Sequence, residues 1–175
     1  MRLLAISGSG RAQSTNTALL RAVAEIARPA HVVTVFARIT DLPVFSPDLE
    51  TGPLPTAVQG FADLIRESDG IIVSSPEYVR SIPGGLKNAI DWLVSRDEII
   101  DKPIALMHAS HRGDDMLAQL RSVLSTVSQR FSPDLFLRFA LMKLSPDEIS
   151  HHLAIPSNRE AVLGFLRDFD AHISV

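Results

Sequence analysis

Residues 1–16 read MRLLAISGSGRAQSTN. An apolar run, Leu3 to Ile6, breaks into Gly8-Ser9-Gly10-Arg11 and continues through Ser14, Thr15 and Asn16 into an amphipathic stretch. An apolar run of strand length with no polar alternation predicts a parallel strand covered on both faces. The small residues, hydroxyls and single guanidinium after it stand where a helix N-terminus leaves backbone N–H groups free to bind an anion, above all a terminal phosphate. The unit is strand, anion loop, helix.

Outward from that unit, Thr17 to Arg28 carries Leu19, Leu20, Val23, Ile26 and Ala27 at helical spacing, and Pro29 stops it. His31 to Phe36 (HVVTVF) and Gly70 to Ser75 (GIIVSS) read as the second and third strands. Leu54 to Ser68 reads as a second helix. Ser81 to Val94 reads as a third, with Pro83 in its first turn, where a missing N–H costs nothing. Lys102 to His108 is a fourth strand, Met116 to Phe131 a fourth helix, Leu135 to Leu141 a fifth apolar segment and Asn158 to Ile173 a closing helix. Alternating strands and helices call for an α/β architecture: a parallel sheet with helices on both faces and right-handed crossovers. Five strands point to the flavodoxin-like order 2-1-3-4-5, whose ligand sits beyond the carboxyl ends of strands one and three.

Composition narrows the function. A chain of 175 residues, 46% hydrophobic, fits one domain over residues 1–175. A formal charge of −3 leaves no basic face for a nucleic-acid backbone. Cysteine is absent, so thiol redox chemistry is excluded and any redox work belongs to a bound cofactor. No stretch approaches the ~18 apolar residues of a membrane span, and no signal-type N-terminus is present, so no membrane contact and a cytoplasmic location are expected. The six histidines form no metal site: His151 and His152 are adjacent and diverge on any regular element. No Ser/His/Asp order is compelling, because Ser9 has no matched base.

Two nucleotide motifs fail at the first loop. The third glycine of a dinucleotide fingerprint would fall at Gln13, and no Gly-Lys-Ser/Thr follows for a P-loop. What remains is an anion loop in which Ser9, Arg11, Ser14, Thr15 and Asn16 offer hydroxyl, guanidinium and amide donors to one phosphomonoester. The plain alternative is that Ser14 or Thr15 only caps the helix and Arg11 is a solvated charge.

A second loop shifts that balance. Residues 74–92 read SSPEYVRSIPGGLKNAIDW, and residues 42–49 read LPVFSPDL. With GSGRAQSTN at residues 8–16, these segments resemble the motifs of the NADPH-dependent FMN reductase family, usually PEYN-x-SIPG-x-LKN-A-x-DW and LPLYNPDL, in the right order and spacing. The resemblance covers roughly residues 1–130. It implies a flavodoxin-like FMN protein with the phosphate on the first loop and the isoalloxazine on Pro76, Glu77, Tyr78 and Val79. Pro76 fixes the chain as it leaves the sheet, so the N–H and C=O groups of Glu77, Tyr78 and Val79 can be aimed at a planar heterocycle. The sequence departs from the family at Val79, where Asn is usual. Tyr78, Arg80 and His111 are expected around the nicotinamide or acceptor, and Ser110 beside the ring. Lys87, Asn88 and Asp91 read as supporting or subunit-contact residues.

The resemblance thus implies an oxidoreductase that passes hydride from NADPH or NADH through FMN to a small acceptor such as a quinone, a second flavin, an azo compound or a metal oxyanion. The flavin does the chemistry, so no protein residue is nominated as catalytic. The rivals are a one-electron carrier, disfavoured by the modest charge and lone Tyr, and a domain that kept the fold and lost the flavin. A homodimer or homotetramer is also implied. Leu86, Ile90, Trp92 and Leu93 support it by spreading over more of a helix than one core stripe requires.

Overall fold

The computed structural model describes residues 1–175. In chain order the elements are β1 (Arg2–Ser7), α1 (Thr15–Ile26), β2 (Val32–Phe36), α2 (Thr56–Glu67), β3 (Gly70–Ser74), α3 (Gly84–Asp91), β4 (Ile104–His108), α4 (Asp114–Val127), β5 (Phe131–Arg138), α5 (Pro146–Ala154) and α6 (Pro156–Ser174). All strand pairs are parallel and the order is β2-β1-β3-β4-β5, the flavodoxin-like order expected from the sequence.

Strand alternation sorts the core into two layers. Leu4, Ile6, Ile71, Val73, Ile104 and Leu106 pack against Val58, Phe61 and Ile65 of α2, Leu86 of α3 and Leu120 of α4. Leu3, Ala5, Ile72, Ala105 and Met107 face the other way, onto Leu19, Leu20 and Val23 of α1 and the apolar faces of α5 and α6. Every residue of β3 and β4 is buried, as a strand covered by helices on both faces requires. That burial fixes the register and gathers the loops after β1, β3 and β4 at one edge of the sheet.

Several boundaries differ from the sequence reading. α1 starts two residues earlier, because the Ser14 side chain accepts the Thr17 N–H and sets the cap there. α3 begins at Gly84, after Pro83 instead of through it. Pro83 is extended (ψ 136°), and Ser81 is drawn back into a bridge with Tyr78. α4 ends at Val127, and β5 starts at Phe131, not Leu135, with Pro133 tolerated because the strand is an edge. α5 was missed, although Ser145 and Glu148 form a capping box legible as S-P-D-E.

The wide apolar surface of the third helix is also corrected. Leu86, Ile90, Trp92 and Leu93 are all buried within the single chain, Trp92 completely. They leave no apolar aromatic patch for a second copy, so that argument for an oligomer falls.

Candidate functional site

The loop between β1 and α1 is shaped by its own hydroxyls. Ser7 and Thr17 share a hydrogen bond at 2.7 Å, the Arg11 N–H donates to the Ser9 hydroxyl at 3.2 Å, and the Ser14 hydroxyl caps α1. Ser9 and Ser14 are buried, so they build the loop. Asn16 is held across to β3 by the Ser74 hydroxyl, which donates to its Oδ1 at 2.9 Å. The Thr15 and Asn16 backbone N–H groups have no partner, and the exposed Arg11 guanidinium is in no ion pair. Unpartnered N–H donors at a helix N-terminus thus stand beside an exposed, unpaired cation. A Cβ on Gly8 would lie 2.5 Å from the Ser75 hydroxyl, and one on Gly10 2.5 Å from Thr40 Cγ2, so the loop can lie this flat only with glycine there.

After β3 the chain makes a tight hairpin. The Tyr78 N–H donates to the Ser81 carbonyl at 3.1 Å and the Ser81 N–H to the Tyr78 carbonyl at 3.0 Å, with Val79 (φ 51°) and Arg80 (φ 57°) at the tip. Two consecutive positive φ angles describe the mirror-image hairpin turn that favours Asn or Gly at its first position. The family's usual Asn thus has a conformational reason, and Val79 is a β-branched residue held in the left-handed region. Both backbone groups of Tyr78 are consumed by the turn, which corrects the expectation that they are free for a heterocycle; its half-exposed ring remains. Replacing Val79 with Asn should raise the unfolding free energy by roughly 1 kcal/mol by relieving that conformation. Chemical denaturation measures the gain, and a loss of stability in the Asn variant contradicts the strain.

The hairpin is bolted to α4. Gly113 precedes α4 in the left-handed region (φ 102°) and has no capping side chain, so Glu77 supplies the cap: its Oε2 accepts the Met116 N–H at 3.1 Å. Arg80 Nε lies 2.6 Å from Asp115, the Ser81 hydroxyl donates to Gln119, and Gln119 donates to the Arg80 carbonyl. Arg80 is therefore a paired charge and not the free cation expected at the mouth. The Glu77 carboxylate orders the neighbouring loop instead of reaching outward.

The loop after β4 closes the site. His108 is buried and its Nε2 lies 2.6 Å from the Arg112 carbonyl; since a carbonyl only accepts, Nε2 carries the proton. Its Nδ1 is buried without a partner, and burial holds its pKa below the ordinary histidine value, so the ring is neutral at pH 7. A Cβ on Gly113 would stand 2.8 Å from that Nε2. The Ser110 hydroxyl accepts the Arg112 N–H at 3.0 Å and points its proton at Met142 Sδ, also 3.0 Å away.

These loops border an open hollow of about 250 Å³ whose lining includes Thr15, Asn16, Pro76, Glu77, Ser110 and Met142, together with His108 and Gly113. Among the sequence candidates, Thr15, Asn16, Pro76, Glu77 and Ser110 meet there. Ser9 and Ser14 support it from behind, and Arg11, Tyr78, Val79, Arg80 and His111 are not in its lining. Sequence reading missed His108, because it ends a strand that looks purely structural, and Met142, because it lies beyond the motifs. The residues fit an FMN. Free N–H donors and Arg11 suit a phosphate, the glycine-flattened loop allows close approach, and a hollow this small would hold one part of a flavin while the rest lay along the loops.

The LPVFSPDL segment is placed by α3. The Asn88 side chain accepts the Phe45 N–H at 2.8 Å and donates to the Pro43 carbonyl at 2.9 Å, and Trp92 Nε1 donates to the same carbonyl at 2.8 Å. The Phe45 ring meets Trp92 edge-on, 5.2 Å between centroids. This clasp holds the two motif segments against each other in the fold.

Comparison with known proteins bears on the family and the fold. The family profile described as NADPH-dependent FMN reductase matches residues 1–137. The quinone reductase of Escherichia coli K12 is 36% identical over 106 residues, 60% of this chain and 55% of that protein. The NADPH:quinone oxidoreductase of Arabidopsis thaliana is 37% identical over 111 residues, 61% of this chain and 57% of that protein. The chain thus spans just over half the length of these curated relatives. Among solved structures, the flavoenzyme NAD(P)H:(acceptor) oxidoreductase FerB from Paracoccus denitrificans superposes with a TM-score of 0.76 at 23% identity, covering 98% of each chain, which bears on the fold. With its motifs, its sheet order and a profile match across most of its length, the chain belongs to the NADPH-dependent FMN reductase family.

Proposed function

We propose that residues 1–175 form one FMN-binding domain that acts as an NAD(P)H-dependent reductase of small acceptors, quinones foremost. The observation that carries it is the pairing of the unsatisfied Thr15 and Asn16 N–H groups and the free Arg11 with the hollow beside them, in a chain whose profile match covers residues 1–137. The names of the relatives support quinones as the acceptor class.

When bound, the flavin supplies the hydride chemistry. The chain's part is to bind and orient. Thr15, Asn16 and Arg11 hold the phosphate, and Ser9 and Ser14 keep their loop in shape. Pro76, the free backbone of Glu77 and Val79, and Ser110 line the ring's edge. Glu77, by capping α4, ties the two ring-side loops into one rigid frame, so little ordering is left for the moment of binding. Tyr78, His111 and Arg112 stand around the mouth, where nicotinamide and acceptor would take turns. A homodimer or homotetramer and a cytoplasmic setting belong to the same proposal.

Anaerobic addition of NADPH or NADH to the FMN-loaded chain tests it. Loss of the flavin band before any acceptor is added, with recovery on adding a quinone, is the expected result. A flavin that stays oxidised with both nucleotides overturns the reductase reading in favour of a one-electron carrier.

A further inference from the structure

β4 runs Ile104-Ala105-Leu106-Met107 and ends on His108, an imidazole only 1% exposed at the end of a strand that is buried throughout. A polar ring taken out of water must find a partner, and this one finds it in the loop that follows. Its Nε2–H donates to the Arg112 carbonyl at 2.6 Å. Little else holds that loop. No backbone–backbone hydrogen bond reaches Ser110, His111 or Arg112. The Ser110 hydroxyl accepts the Arg112 N–H, and Arg138 approaches the Arg112 carbonyl only at 3.5 Å, too long for a strong bond.

Gly113 is shaped around the same ring. A Cβ there would stand 2.8 Å from Nε2 and 3.1 Å from Cε1, so the chain forgoes a side chain at 113 and admits the imidazole. Ser110, Arg112 and Gly113 line the hollow together with His108. The ring-side wall of the candidate site therefore hangs on one histidine.

We propose that His108 is a positioning residue of the flavin site: uncharged and protonated on Nε2, it holds the 110–113 loop in the shape that receives the ring, and a proton added at Nδ1 releases that loop. The proposal rests on the reading of this hollow as an FMN site. Nδ1 is buried with no partner, so a proton there would place a charge where water does not reach. Few groups face the ring. Arg138 comes from β5 and Asp114 from α4, and the two bind each other at 2.6 Å; the Arg112 carbonyl and the Ser75 backbone come from the two flanking loops. Glu77, from the loop after β3, spends its carboxylate on the Met116 N–H. Burial sets the direction and Arg138 adds to it, against the Arg112 and Ser75 backbones and Asp114, so the pKa lies below the ordinary histidine value. Opening the loop lets water reach the ring and restores that value. The closed loop thus binds fewer protons than the open one, and it is lost progressively as pH falls below about 6.5.

FMN titration of the full chain at about pH 7.5 and about pH 5.5 tests this with two substitutions. His108→Gln keeps an N–H for the Arg112 carbonyl and cannot titrate. His108→Leu keeps the bulk and has no donor. At the higher pH, Leu should weaken FMN about tenfold and Gln should restore most of it, since only Leu leaves the carbonyl short of its donor. At the lower pH, the ratio of the wild-type Kd to the Gln Kd should rise by about three- to tenfold. Every other titrating group, the FMN phosphate included, is common to both chains and cancels from that ratio. Undiminished affinity in the Leu variant, a Gln variant no better than Leu when both fold alike by circular dichroism, or a flat ratio overturns the proposal. Imidazole nitrogen NMR on the flavin-free wild-type chain needs neither a folded variant nor the flavin. A neutral ring with its proton on Nε2, whose protonation loosens the Arg112 amide, is expected; a proton on Nδ1, or a ring already charged at about pH 7.5, overturns it. A wild-type chain that binds no FMN overturns the flavin reading instead, and the ring spectrum then still decides whether His108 holds the loop.

Discussion

Replacing Trp92 with Ala lowers the unfolding free energy by about 3–5 kcal/mol, the cost of emptying a large, fully enclosed aromatic site. Trp92 is completely buried, its indole N–H holds the Pro43 carbonyl at 2.8 Å, and Phe45 packs edge-on against it. Truncation leaves a cavity and unpins residues 43–45 from α3. Because Thr40, on the same connection, closes over Gly10 of the anion loop, FMN affinity should fall as well. The Phe variant separates packing from hydrogen bonding. It keeps most of the bulk, and the Pro43 carbonyl still accepts from Asn88, so about 1 kcal/mol should be lost. Urea unfolding followed by circular dichroism gives both values. A loss under 1 kcal/mol for Ala would mean that the clasp does not hold the segment.

Replacing Arg11 with Ala weakens FMN by about 1.5–3 kcal/mol, roughly ten- to hundred-fold in Kd, the worth of a hydrogen bond to a charged group. Arg11 is the one cation of the β1–α1 loop, it is exposed, and no carboxylate competes for it. Protein stability should hardly change, since the side chain makes no contact that the fold uses. The loss should also shrink as salt is raised, because an exposed guanidinium is screened. A fluorescence titration measures it, and an unchanged Kd in the Ala variant removes Arg11 from the site.

How far the sequence could be read depends on which interactions set each feature. The apolar runs Leu3 to Ile6, Gly70 to Ser74 and Ile104 to His108 are buried strands that nothing else in the chain imitates, so sheet order and switch point were legible. Boundaries were less so, because they are set by single hydrogen bonds: the Ser14 cap, the Tyr78–Ser81 pair and the capping box at Ser145. At the site, residue identity told more about location than about role. Glu77 and Arg80 were read as facing a ligand, and long-range partners on α4 turn both into struts. The apolar spread of the third helix was real, but one side of it is covered by the 42–47 segment, whose return across α3 no periodicity reveals. Val79 shows the opposite case: a departure from a motif, legible in the sequence, becomes intelligible only with its φ of 51°.

The central claim is that the loop from β1 to α1 holds the phosphate of an FMN whose ring lies by the hollow at Pro76 and Ser110. Equilibrium titration of the chain with FMN and with riboflavin, followed by the flavin bands near about 375 and 450 nm, tests it most directly, because the two ligands share the ring and differ in the phosphate. Saturable FMN binding, with riboflavin weaker by on the order of a hundred-fold, is the expected result, since a phosphate on free N–H donors and a guanidinium makes several charge-assisted bonds. Equal affinity for the two ligands, or no binding of either, would contradict it.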